Sequence, residues 1–178
     1  MCSKNTKATR NWRVVYPSSH LSNSRPSRSV ILVNTSIDIN NWSHIHIPNT
    51  RDVVTVQVSS LHGILIIFDI YNDCLNADTI DLLGTFLTSS RHSAPSPGPN
   101  YMLWCGDFNY HHPMWDEEHN SHLFTAGALR DSDGLLALVT KHNMVMLLPK
   151  DILTLEPWPP KTGCTPTTSL AVPTWRTR

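Results

Sequence analysis

At 178 residues and 20.1 kDa the chain has the size of one domain with a substantial core, and its 14 Lys plus Arg balance 14 Asp plus Glu. A formal net charge of zero leaves no global field to draw the protein onto polyphosphate or a membrane surface, so nucleic-acid contact must come from a local patch. The four cysteines, Cys2, Cys74, Cys105 and Cys164, form no CxxC pair, which argues against a zinc ribbon and a dense disulfide scaffold, and no apolar run approaches the ~18 residues of a membrane span. Reduced thiols and no signal peptide are expected, and with them an intracellular setting that includes the nucleus.

Residues 1–11 are polar and basic and give no reason to fold alone. Trp12 to Pro17 reads as a short extended piece stopped by proline, and residues 18–29, rich in Ser, Arg and Pro, read as a loop. His20, Arg25 and Arg28 in that loop can meet phosphate, and a solvated loop explains them equally well. Val30 to Val33 is an expected buried strand. From Asp52 the pattern sharpens: Val54, Val56 and Val58 alternate with Thr55 and Gln57, a turn follows at 59–63, and residues 64–70 are nearly all apolar. This spacing predicts a β-hairpin whose second strand runs into Asp69-Ile-Tyr71-Asn72-Asp73. Asn76 or Asp78 can cap a helix with Ile80, Leu82, Leu83, Phe86 and Leu87 on its core stripe.

Residues 91–100 carry three prolines and read as a linker. Tyr101-Met-Leu-Trp-Cys-Gly-Asp-Phe-Asn109 is an apolar strand that ends in a glycine, an acid and an amide. A buried strand opening into a loop fixes reactive groups while the loop admits substrate. Asp107 and Asn109 project to one side if the extended conformation persists; alternatively they only close a turn. A helix starting at Asp131 or Ser132 and carrying Leu135, Leu136, Leu138 and Val139, then a strand over 144–148, completes an α/β pattern. From about Glu156 prolines and threonines interrupt every period, and residues 156–178 read as an irregular tail.

Gly106-Asp-Phe-Asn109, followed by His111-His-Pro-Met-Trp115 and preceded in order by Arg28-Ser-Val-Ile-Leu-Val33 and Asp69-Ile-Tyr-Asn-Asp73, resembles the endonuclease/exonuclease/phosphatase family. More narrowly it resembles the endonuclease domain of non-LTR retrotransposons. The resemblance runs from Trp12 through Thr154 and implies an α/β fold, a two-sheet β-sandwich flanked by helices, spanning 12–155. It also implies a DNA substrate and Mg²⁺-dependent phosphodiester hydrolysis. Asp107 is then the candidate to orient or deprotonate water or to hold a metal. Asn109 and Tyr71 are candidate donors to the phosphate, with Asn72 and His111 as further substrate contacts. The family's site also takes an asparagine and a glutamate from earlier strands, and an Asp-His pair from a Ser-Asp-His word. None is matched here, and Asp69 stands where many relatives have asparagine. The expectation is therefore a domain truncated at both ends, inactive or weakly active, and prone to aggregate through open sheet edges.

Two other classes remain. One is a non-catalytic binding remnant of such a domain. The other is a metal site in the His-rich loop, drawing on His111, His112, His119 and His122 beside Asp116, Glu117 and Glu118, although the spacing matches no standard zinc pattern. Relatives continue past the Leu-Pro-x-x-x-Thr words with Asn-Trp-x-x-Pro-Asp-Asn-Val-Phe, and residues 158–178 can be back-translated so that the adjacent frame spells such a segment. A frame-shifted tail is the resulting hypothesis; genomic DNA whose neighbouring frame lacks those words disposes of it.

Overall fold

The alternating valines and the apolar run after them form an antiparallel pair, β4 (Val53–Ser60) and β5 (Gly63–Tyr71), joined by Leu61 and His62. In the computed structural model, which describes residues 6, 8–22, 24–73, 75–89, 98–150 and 175–177, this pair is the centre of the molecule. Helix α1 (Asp78–Ser89) then returns the chain so that β6 (Asn100–Asp107) lies parallel to β5, with Ile64 opposite Asn100 and Tyr71 opposite Asp107. A parallel neighbour needs such a crossover, and a helix is the usual one. The six-stranded sheet runs β3-β4-β5-β6-β8-β7, where β3 is Trp42–His44, β7 is Met144–Met146 and β8 is Trp175–Thr177. A two-stranded sheet, β1 (Trp12–Val15) with β2 (Ile31–Asn34), stands apart from it.

Side chains alternate across a strand, so each face of the large sheet has its own core. Phe68, Ile70 and Trp104 meet Ile80 and Leu83 of α1 and Leu135, Leu138 and Val139 of helix α2 (Ala126–Lys141), with Leu83, Leu135 and Trp104 fully buried. On the opposite face, Val54 and Val56 pack against Val15 and Val33 of the small sheet. The two-sheet sandwich that the resemblance implies is therefore present, with α1 and α2 packed against the large sheet.

Three elements differ from expectation. Helix α2 begins at Ala126, with the Thr125 side chain accepting from the Ala128 N–H, several residues before the Asp131 or Ser132 start. A 3₁₀ turn at Ile39–Asn41 leads into β3, where no element was expected. Residues 175–177, assigned to the irregular tail, form β8 and separate β6 from β7; the remainder of the tail, and residues 91–97 of the linker, lie outside the described residues.

Asp69 sits on the small-sheet face of β5, opposite Val54 on one side and Cys105 on the other. Burial raises its carboxyl above the ordinary value, and the Ser29 hydroxyl (2.8 Å) and the Val30 N–H (3.0 Å) only partly offset that. A carboxyl whose folded pKa is raised favours the fold most when protonated, so its contribution is lost as pH rises through that folded pKa. Asp69→Asn keeps an acceptor for both donors without the buried charge. It should therefore raise Tm at neutral pH, by thermal unfolding followed by circular dichroism, with the gain shrinking as pH falls through the raised folded pKa toward the ordinary carboxylate value of about 4. An equal gain at both ends of that pH range would show that charge is not the cause.

Candidate functional site

Tyr71 and Asp107 are the last residues of their strands and are direct partners in the parallel register. Paired residues in a sheet project to the same face, and both side chains are half-buried rather than turned into the core. A phenol and a carboxylate therefore stand side by side where two strands finish. The segments beyond are stitched together. Tyr71 N–H donates to the Asp52 carbonyl and Asn72 N–H to the Asp107 carbonyl, each at 2.8 Å. The Asn72 side-chain amide donates to the Phe108 carbonyl at 2.9 Å, and the Asn109 side-chain amide returns to the Asn72 carbonyl at 2.7 Å.

Asn109 joins the group by a different route from the expected one. The strand ends at Asp107, and Asn109 lies in the left-handed region at φ 51° with its N–H donated to Asp107 Oδ1 at 3.1 Å. Short polar side chains tolerate that conformation because they can bond locally. Asp107 and Asn109 thus do close a turn, and the turn is what carries Asn109 back toward Asn72. Asn72 is fully buried and its side chain clamps the strand ends; its Oδ1 has no hydrogen-bond partner among the described residues.

His111 follows Tyr110 into a loop pinned by Trp115, whose indole N–H donates to the Tyr110 carbonyl at 2.6 Å. Its Nδ1 lies 3.5 Å from Oδ2 of the buried Asp116, which also accepts from the His112 N–H at 2.8 Å. His112 Nδ1 accepts from the Met114 N–H, and His119 pairs with Glu117. His112 and His119 thus have partners within this loop, and His111 lies against Asp116. Among the described residues no three His, Cys, Asp or Glu side chains are grouped to hold a metal ion, which removes the His-rich loop as a metal centre there.

Arg28 stands on the other side of Tyr71. It binds Asp52 through both forks, Nε to Oδ1 at 2.6 Å and Nη2 to Oδ2 at 2.7 Å, and reaches Asp73 Oδ2 at 3.0 Å. Its guanidinium also covers the Tyr71 ring, 4.5 Å from the centroid. The Asp52 hydrogen bonds, against the opposing pull of burial and with help from Asp73, drive the Arg28 guanidinium still further above its ordinary value. Sequence reading singled out Arg28 as a phosphate candidate but not this cluster. Its partners lie 24 and 45 residues away, and no local spacing signals them.

A magnesium site requires several oxygen donors free to converge on one ion. Asp52 and Asp73 are committed to Arg28, and Asp69 to Ser29 and Val30. Asp107 is left as the carboxylate of the strand ends without a cationic partner, whereas a hard divalent cation prefers six oxygen ligands from several donors. The described donor set does not by itself fit that ion.

Gly106 makes the junction possible. It has φ 122°, and a Cβ there would lie 2.0 Å from the Ile70 carbonyl oxygen, a backbone atom that cannot rotate away. Gly106→Ala should destabilise the fold by several kcal/mol or prevent folding, read as the denaturant midpoint; a change below about 1 kcal/mol would contradict the close strand approach.

Comparison with known proteins agrees with this arrangement. A family model described as endonuclease-reverse transcriptase matches residues 65–167, more than half of the chain. No curated protein matches. Eight solved chains do, among them the endonuclease domain of TRAS1, a telomere-specific non-LTR retrotransposon. That chain superimposes with a TM-score of 0.63 at 13% identity, over 95% of this chain and 68% of its own length, a likeness of fold. The family match over residues 65–167 places this chain in the endonuclease-reverse transcriptase family.

Proposed function

We propose that the ends of β5 and β6 form a DNA-backbone site of the endonuclease type, and that this chain binds duplex DNA there but nicks it only weakly. The observation that carries this reading is the register of Tyr71 with Asp107, with Asn109 locked beside them. The Tyr71 hydroxyl and the second N–H of the Asn109 amide are donors for phosphoryl oxygens, and Asp107 orients or deprotonates the attacking water. Asn72 acts from behind, holding Asn109, while His111 supplies a further polar contact at the mouth of the loop. The family's chemistry implies a divalent cation, Mg²⁺, which stabilises charge on the leaving oxygen when bound. Among the described residues Asp107 is the carboxylate of the strand ends outside an ion pair, and it already accepts from the Asn109 N–H, so these residues do not by themselves hold such an ion. The substrate implies a nuclear setting.

A non-catalytic binding remnant is favoured by one observation: three of the nearby acids, Asp52, Asp69 and Asp73, are engaged in structural bonds. Supercoiled plasmid incubated with Mg²⁺ separates the two readings. The endonuclease reading expects slow relaxation that Asp107→Ala abolishes; equal rates for both proteins would remove Asp107 from the chemistry. Duplex binding by fluorescence anisotropy should weaken roughly 2- to 10-fold in Tyr71→Phe, the worth of one hydrogen bond. Unchanged affinity would show that the phenol does not meet DNA.

A further inference from the structure

The geometry points to Arg28 as an anchor for a second DNA backbone phosphate, one flanking the phosphate held by Tyr71 and Asp107, with Asp73 occupying the anchor until DNA displaces it. This rests on the reading of the strand ends as a DNA site and adds a residue and an exchange to it. Tyr71 of β5 lies between Asp107 of β6 on one side and Asp52, just before β4, on the other. Neighbouring strands are about 4.8 Å apart, so a group on the Asp52 side is about two strand spacings from Asp107. That distance suits a neighbouring phosphate of the same strand better than the one being attacked.

The cluster has the form of a preloaded fork. Asp52 holds Nε and Nη2 through two short parallel bonds and fixes the plane of the guanidinium, while the Tyr71 ring supports its face. Nη1, with two N–H donors, makes no hydrogen bond to the described residues, and the Arg28 side chain is 24% exposed. Asp73 contributes the longest of the three bonds, 3.0 Å, through a single oxygen, and its side chain is 19% exposed. Its other oxygen accepts from the Leu75 N–H at 3.2 Å, so the carboxylate can swing away from Arg28 on that backbone tether while Asp52 keeps the fork in place. An incoming phosphate then takes the position of the Asp73 carboxylate on Nη2 and adds contacts to Nη1. Planar, bidentate recognition of phosphate is what a guanidinium does better than an ammonium. Because Asp73 is the competitor, its removal should strengthen DNA binding, and only when Arg28 is present.

A double-mutant cycle tests this with a short fluorescein-labelled DNA duplex and the described chain in EDTA, reading Kd by anisotropy between about 50 and 200 mM NaCl. Arg28→Met is expected to weaken binding roughly tenfold or more and to reduce the salt slope by about 0.9, the signature of one lost phosphate contact. Asp73→Ala is expected to tighten binding several-fold in the native background and to have little effect beside Arg28→Met. Arg51 Nε, 3.8 Å from Asp52 Oδ1, still faces Asp52 in the methionine variant; if that variant nonetheless fails to fold, Arg28→Gln, which removes the charge but keeps a donor for Asp52, takes its place in the cycle. Equal gains from Asp73→Ala in both backgrounds, or an unchanged salt slope, overturn the Arg28 anchor while leaving the strand-end site intact. Failure of the native chain to bind the duplex at low salt overturns both.

Discussion

Everything near the candidate site depends on how two parallel strands are held in register at their carboxyl ends. Backbone pairing alone would leave them free to fray there. The buried Asn72 prevents this by joining its own strand end to Phe108 through its side chain and to Asp107 and Asn109 through its backbone. Each bond is modest in net terms, about 0.5–1.5 kcal/mol, but a buried donor or acceptor left unpaired costs about 1–3 kcal/mol. Gly106 supplies the complementary condition, since only a residue without Cβ allows β6 to pass so near the Ile70 carbonyl. The positions of the phenol and the carboxylate follow from these two residues.

The electrostatics of this end of the sheet are those of engaged charge. Asp52 and Asp73 answer Arg28, Asp69 is turned to Ser29 and Val30, and Asp116 caps the loop at His112. With a net charge of zero the molecule has no long-range pull on DNA. Recognition must then rest on directed hydrogen bonds at close range, and association would be slow and weakly steered compared with that of a basic nuclease. The chain's commitment of most local acids to structure also explains why fold similarity carries further here than chemistry does.

Much of this was legible in the sequence, and the reasons it was are local. Alternating valines declared β4, the apolar run declared β5, and the 3.6-residue stripe of α1 named Ile80 and Leu83 as core. The strand before Gly106-Asp-Phe-Asn109 was visible for the same reason. What stayed hidden depends on distant partners or on weak periodicity. Residues 126–134 contain two glycines and three charges, which masks the first turns of α2 despite a good cap at Thr125. Three-residue strands such as β3 and β8 exist only because a neighbour pairs with them. An asparagine at 72 looks like a surface residue until its partners on β6 are known. Asn109 was expected on an extended chain, and the local bond to Asp107 turned it instead.

Strand β8 has a temporal implication. Met144–Met146 does not pair with β6 in the sheet; residues 175–177 lie between them, and the Thr177 hydroxyl accepts from the Met102 N–H at 3.0 Å. A ribosome delivers chain from amino to carboxyl end, so β7 emerges with its docking place on the sheet still vacant. It must wait for some thirty more residues before the lateral ladder can close, the kind of long-range closure that slows assembly. During that interval the open flank of β6 is the segment most available to chaperones or to a second nascent copy.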